Sequence, residues 1–213
     1  MNEKNRLKEL IISTTVHALR KNFFTVHVAD SAKDALDYLV KTIPVDSSIG
    51  FGGSRTLEEI GFFDEFTKQK YTNLFDRNDK TLSTEQKRLL QLSALGADYF
   101  VSSCNAVTKT GELTFIDMWG NRCGGMTYGP KTRIVVASWN KISEDLISAL
   151  DRQKNTASVL NNIRFDTKNP CTVTGECSDC SSDNRICGVT TVLHRSFPKE
   201  SVHVVIVKEE LGF

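Results

Sequence analysis

No charge of one sign dominates this chain: 27 basic and 26 acidic side chains leave a formal net charge of +1 over 213 residues. That balance gives no long-range field for a polyanion, and no run of Lys or Arg forms a basic stripe, so nucleic acid is not an expected partner. No apolar stretch approaches the ~18 residues that a membrane span needs. The start, Met1-Asn2-Glu3-Lys4-Asn5-Arg6, leads into a charged amphipathic pattern rather than the apolar core of a signal peptide. A cytoplasmic location is the expectation. The usual catalytic signatures are missing as well: there is no Gly-x-Ser-x-Gly elbow, no His-Glu-x-x-His helix, no kinase signature and no Gly-Lys-Ser/Thr phosphate loop. Six cysteines are present, but in a chain read as cytoplasmic they suggest reduced thiols or metal ligands rather than a disulfide framework.

What is present is an alternation of short apolar strands with amphipathic helices. Leu7, Leu10, Ile11, Thr14, Ala18 and Leu19 recur at helical spacing and predict an N-terminal helix over 3–21. Strands are predicted at Phe24 to Val28, Ser47 to Phe51, Tyr71 to Phe75, Tyr99 to Ser102, Glu112 to Asp117, Thr132 to Ala137, Val189 to Leu193 and Val202 to Val207. Helices are expected from Ser31 to before Pro44, from Thr56 to Ile60, and from Ser83 to Leu95, where Ser83 with Gln86 reads as a capping box. Further helices are expected at Ser143 to Lys154 and Thr156 to Arg164, and Gly120-Asn121 and Gly129-Pro130 read as turns. Together these predict one α/β domain over 1–213, with a mostly parallel twisted sheet, helices on both faces, and a cysteine-rich segment at 169–190.

Three segments carry possible chemistry. In Gly50-Phe51-Gly52-Gly53-Ser54-Arg55-Thr56 the glycines let backbone approach a ligand, and the hydroxyls of Ser54 and Thr56 add donors for a small carboxylate or phosphate. The same segment also suits a tight turn in which Ser54 or Arg55 caps the next helix. Asn105 to Glu112 follows a strand, where open α/β sheets place ligands. Asn105, Thr110, Asn121 and Arg122 are the candidate pocket residues. Glu112 is the candidate base or nucleophile if burial raises its pKa, and a solvated turn residue otherwise. Third, Cys171, Cys177, Cys180 and Cys187 fall in a short polar stretch with little apolar surface to bury them. Thiolates there suit an iron–sulfur cluster or, alternatively, zinc, although the spacing matches neither ferredoxins nor a zinc ribbon.

The same residues carry a family likeness. Gly52-Gly53-Ser54-Arg55-Thr56-Leu57-Glu58-Glu59-Ile60-Gly61, Asn105-Ala106-Val107-Thr108-Lys109-Thr110-Gly111-Glu112-Leu113 and Gly120-Asn121-Arg122 resemble the lactate-utilisation (LUD) domain family. So do Gly129-Pro130-Lys131 leading into Ile134-Val135-Val136-Ala137, Asn140-Lys141-Ile142, and Glu209-Glu210-Leu211-Gly212-Phe213. The resemblance implies a fold like the glucosamine-6-phosphate deaminase, ribose-5-phosphate isomerase and CoA-transferase superfamily, with ligands over glycine-rich loops at strand ends. It also implies a part in oxidising L-lactate or a similar 2-hydroxy acid, as an accessory or redox subunit beside iron–sulfur oxidoreductase subunits. The cysteine cluster departs from the simplest members, and the ferredoxin-type repeats of the larger subunit are missing. Two other readings stay open: an isomerase or acyl/CoA-transfer enzyme using Glu112, and a non-catalytic metabolite-binding module.

Overall fold

A computed structural model describes residues 2–213. Its centre is a five-stranded sheet in which every neighbouring pair is parallel, ordered β1 (Thr25–Ala29), β9 (Val202–Val207), β6 (Thr132–Ser138), β3 (Tyr99–Ser102), β2 (Ile49–Phe51). The inner strands are apolar almost throughout because both faces are covered. Side chains alternate between two cores, as a pleated strand requires. Val135, Ala137, Val204 and Ile206 join one core, while Ile134, Val136, Val205 and Val207 join the other. Each fully buried Val or Ile contributes about 1.5–3 kcal/mol, so a one-residue slip of β6 or β9 would exchange the two sets and misplace every one of them.

Helix α1 (Glu3–Lys21) covers the first core and α2 (Ala32–Thr42) the second. The bounds of α1 agree with the periodicity, but the buried face is one step round the helix from the one expected. Ile12, Thr15, Val16 and Leu19 are buried, whereas Leu7 and Leu10 are exposed. Ser31 caps α2 by accepting from the Asp34 backbone N–H, and Asp34 accepts in turn from the Asp30 N–H. Helix α3 (Arg55–Glu59) and helix α4 (Phe62–Glu65) follow β2, and α5 (Thr84–Ala94) starts at the Ser83/Gln86 capping box.

A second, four-stranded sheet was not expected from the sequence. It is ordered β7 (Ile142–Ser143), β4 (Ala106–Thr108), β5 (Leu113–Asp117), β8 (Val189–Leu193), with β5 antiparallel to both of its neighbours. It packs into the first core through Val107, Leu113 and Phe115. Two other expectations are corrected. Tyr71 to Phe75 is a chain of turns with a single bridge, Leu74 to Ile49, because Tyr71 is buried by ring stacking on Phe66 at 4.4 Å rather than by pairing. Gly120-Asn121 is not a turn between strands but the entry to helix α6 (Asn121–Thr127). In that helix a Cβ on Gly125 would lie 2.6 Å from the Phe100 ring. Glycine is there for close approach, and the packing outweighs its poor helix propensity.

After β7, α7 (Leu146–Arg152) runs through a π-helical stretch at Gln153–Ser158 into α8 (Val159–Arg164) without a break. The two helices expected here are therefore one continuous element. A short helix α9 (Cys171–Thr174) opens the cysteine segment. Among the described residues no helix is long and apolar enough to cross a membrane.

Candidate functional site

The carboxyl ends of β2, β3, β6 and β9 come together at one edge of the central sheet, the place where open α/β sheets accept ligands. The segments that follow them line a small hollow of about 20 Å³, room for one water-sized group. Ser54 follows β2, Ser103 and Asn105 follow β3, Lys141 follows β6, and Phe213 lies beyond β9; Arg122 of α6 and Arg164 of α8 complete the wall. No carboxylate side chain is part of that lining.

Each wall residue has a local reason to be there. Ser54 caps α3 by accepting from the Leu57 N–H at 3.1 Å, so the capping reading of this loop holds for its hydroxyl. Arg55 pairs outward with Glu58 and Glu59. Gly52 is packed tightly, since a Cβ would come within 2.5 Å of the Ser102 hydroxyl and 2.9 Å of the Arg122 side chain, whereas Gly53 has open space around it. Arg122 is the organising residue. Its Nε donates to Asp117 at 2.9 Å, and its terminal nitrogens donate to the carbonyls of Ser103 and Ile116 and to the Asn105 side chain. With its donors used in this way, Arg122 fixes the shape of the hollow more than it offers charge to a ligand.

Lys141 offers that charge. It is 2% exposed, and its Nζ donates to the hydroxyls of Thr56 at 2.8 Å and Ser103 at 2.9 Å and to the Cys104 carbonyl at 3.4 Å. All its partners are neutral. Burial pushes its pKa down to about 8, helped by Arg152 and Arg122 and opposed by Cys104 and Glu59. Cys104 is itself buried, which pushes its thiol pKa up. Arg152 donates to the Asn105 carbonyl at 2.5 Å and also has no carboxylate partner among the described residues. At the mouth, Arg164 stacks on the Phe165 ring at 4.5 Å and lies 5.7 Å from that of Phe213, with Glu58 3.5 Å away. Its Nε is buried with no acceptor. Lys141 and Arg152, which have no carboxylate partner among the described residues, together with the unspent Nε of Arg164, make a place that a small anion would stabilise.

Of the residues predicted from sequence, Gly53, Ser54, Arg55, Asn105 and Arg122 meet here, with Gly52 and Thr56 directly behind them. Thr110 and Glu112 do not. They lie at the β4–β5 turn, where the Asn22 side chain holds the Thr110 and Gly111 carbonyls at the end of α1. Burial alone would raise the Glu112 pKa, but hydrogen bonds from Thr108 and Thr110 and the nearby His194 outweigh it, so the carboxyl is more acidic than usual. Such a carboxylate is a poor base, contrary to the condition set for its catalytic role. Asn121 faces a separate groove beside α5. Lys141 and Arg164 were not named as site residues from the sequence: Lys141 entered only within the family-like Asn140-Lys141-Ile142 stretch, and Arg164 ends a helix, where a cation is ordinary.

The four cysteines of the 169–190 segment line a second hollow, together with Lys154, Asn162, Asn169, Ser178, Asp179 and Arg185. Asp179 takes left-handed backbone with φ 49° between Cys177 and Cys180. Arg185 knots the loop by donating to the carbonyls of Cys187 and Cys180 and to the Asp179 side chain. Buried Asn162 and Asn169 bond to each other at 2.6 Å, and Asn155 accepts from the Cys177 N–H, so the segment is tied to the α7–α8 element. The Cys171 thiol has its pKa raised by burial and then by the neighbouring Cys187, Cys180 and Cys177. Among the described residues no group of three or more His, Cys, Asp or Glu is drawn close enough to hold a metal ion. The thiols thus share a hollow without forming a coordination sphere. As a donor set, four thiols suit an iron–sulfur cluster or zinc, while the two cations beside them, Lys154 and Arg185, are both paired with Asp179.

Comparison with known proteins adds the following. A family model described as LUD domain matches residues 12–207. A solved structure of a DUF162 family protein from Deinococcus radiodurans is similar over 95% of this chain and 98% of that one, with a TM-score of 0.54 and 13% identity, a likeness of fold. No curated protein matches the chain.

Proposed function

The chain belongs to the LUD domain family, which is associated with lactate utilisation, and from that premise we propose that it is an accessory redox subunit in the oxidation of L-lactate or a similar 2-hydroxy acid. The carboxylate of the acid sits in the strand-end hollow against Lys141 and Arg164, with Ser103 and Asn105 as neutral hydrogen-bonding groups. Arg122, anchored by Asp117, holds those two residues in register. Phe213 and the stacked Arg164 narrow the mouth and limit access of water.

Cys171, Cys177, Cys180 and Cys187 would hold an iron–sulfur cluster, which supplies one-electron transfer when bound. Lys154 and Arg185, which share Asp179, would leave one net positive charge beside it. The observation that carries this reading is that one uninterrupted helical element touches both places. Asn161 and Arg164 line the anion hollow, and Lys154 and Asn162 line the thiol hollow. A partner carrying further iron–sulfur centres would take the electrons onward. Glu112 has no part in this reading, since it stands outside both hollows.

The test is elemental. Iron, sulfide and zinc are measured on anaerobically purified wild type and on each single Cys→Ser variant of the four. Stoichiometric iron and sulfide in wild type, lost in every variant, supports the redox role. Zinc in place of iron removes the electron-transfer role, and no metal at all returns the chain to a metabolite-binding module.

A further inference from the structure

Helix α5 is a poorly covered helix, with Ala94 its one buried residue. Thr84, Lys87, Arg88, Gln91, Leu92 and Leu95 recur at steps of three and four residues, so they form one face of it. That face is not packed against the core. It forms one wall of a groove of about 620 Å³, whose opposite side is built by Trp119, Gly120, Asn121 and Arg77. The volume lies within the range of small-molecule sites.

Three properties of this groove belong together. Trp119 is 79% exposed beside Leu92 at 51%, so a large aromatic face stands free next to apolar surface. Arg77, Lys87 and Arg88 bring positive charge, and no acidic residue is part of the lining. Arg88 is 3.7 Å from Glu85, but the side chains of Lys87 and Arg77 have no hydrogen bond or ion pair among the described residues. Arg77 is half-buried, and it also reaches, with Gln91 and Asn121, a recess floored by Phe51 and Phe100 at the ends of β2 and β3. Nothing in the anion reading of the strand-end hollow uses these residues.

We propose that this groove is a nucleotide-binding site, with the base stacked on Trp119 against Leu92 and the phosphates held by Arg77, Lys87 and Arg88. A planar ring system on an indole face and an anionic tail on three cations, two of them unpaired, satisfy all three properties in one ligand. An inorganic anion would leave Trp119 and Leu92 unused. A purely apolar ligand would leave three cations partly desolvated without compensation. A nucleic-acid strand would need a longer basic track than the near-neutral chain provides.

Calorimetric titration with ADP, adenosine, pyrophosphate and decathymidylate tests the assignment. ADP binds wild type, and adenosine and pyrophosphate each bind at least roughly tenfold more weakly, because each keeps one half of the contacts. Trp119→Ala weakens ADP by roughly tenfold or more, the usual worth of a stacked base. Lys87→Ala weakens it and lowers its salt dependence. Trp119 is exposed and Lys87 half-buried, and neither belongs to a core cluster, so neither change disturbs the core, which thermal melting checks. Lys141→Met leaves ADP binding as in wild type, which separates the groove from the strand-end hollow. The proposal is overturned by absence of ADP binding, by equal binding in Trp119→Ala, by pyrophosphate binding as tightly as ADP, by loss of ADP binding in Lys141→Met, or by decathymidylate binding more tightly than ADP.

Discussion

Replacing Lys141 with Met removes a buried charge while keeping most of the side-chain volume, and its consequences for stability and binding have opposite signs. The pKa of Lys141 is pushed down from 10.5 to about 8, mainly by burial. Keeping the amine charged in the free protein therefore costs about 3 kcal/mol relative to water. Because the folded value lies below the unfolded one, the unfolded chain binds more protons between those two pH values, so wild-type stability rises with pH across that window. Lys141→Met abolishes this rise. At neutral pH the variant loses hydrogen bonds to Thr56 and Ser103 but also escapes the desolvation cost, so its stability stays within about 2 kcal/mol of wild type. Anion binding behaves differently. An opposite charge about 4 Å from the amine, at an effective dielectric of ~20, is worth about 4 kcal/mol, so L-lactate affinity falls by roughly 100-fold or more in the variant. In wild type the affinity is flat below the amine's pKa and then declines by about tenfold per pH unit above it, as the free amine loses its proton. Calorimetry with L-lactate from neutral to alkaline pH, alongside chemical denaturation over the same range, measures both effects. If the variant binds like wild type, or if wild-type affinity ignores pH, Lys141 is not the anion anchor and the reading of the hollow fails.

Asp117→Asn leaves the Arg122 guanidinium 9% exposed with no counter-charge. The expected cost is about 3–5 kcal/mol, read as a lower denaturation midpoint with an unchanged slope. Glu112→Gln keeps the fold and growth on lactate in a complemented strain. It loses about 1 kcal/mol at neutral pH, a deficit that vanishes as pH falls through the lowered Glu112 pKa, because the wild-type carboxylate then loses the charge its threonine donors stabilise. Complete loss of growth with normal expression would restore a reacting role to Glu112.

The parts of the fold legible in the sequence are those in which local pattern and tertiary demand agree. Val202–Val207 and Val189–Leu193 have the bounds that their apolar runs indicate, and the Ser83/Gln86 capping box marks the start of α5. The parts that escaped are decided by distant neighbours. Tyr71 to Phe75 has strand composition, but the stacked rings of Phe62, Phe66 and Tyr71 give its aromatic residue a better burial than a sheet edge would. Asn121–Thr127 is glycine-rich and scores poorly as a helix, yet Phe100 leaves room for nothing larger than glycine at Gly125. For the site, the glycine loop was legible because a strand-to-helix junction has a recognisable composition, and the Asn105 loop because polar residues follow an apolar strand end. The role of Lys141 was not, although its motif carried the family likeness, since its distinction is a buried position among neutral partners, a property that no local spacing encodes.

The same limit explains why the relation between the two hollows could not be read from sequence order. Helical residues adjacent in sequence point about 100° apart, so Asn161 and Asn162 face different neighbours from a single turn of α8. Asn161 lines the anion hollow, and Asn162 bonds to Asn169 at the root of the cysteine segment. Just before that turn the chain leaves regular α-helix for a π stretch, and the Ser158 hydroxyl closes it on the Gln153 carbonyl at 2.8 Å. Such stretches are uncommon and concentrate at functional sites. Here the π stretch carries Lys154 and Asn155 to the thiol side, while Gln153 reaches back to Thr190 of β8. The element is therefore anchored at both ends, to the small sheet and to the cysteine loop, and Arg164 projects from its last turn over the mouth of the hollow. A change that loosens the cysteine segment acts first on Asn169 and Asn162, both fully buried or nearly so, and Asn162 shares one helical turn with Asn161 and Arg164. The proposed redox function thus places its electron-transfer group and its anion on two faces, about 100° apart, of a single anchored turn.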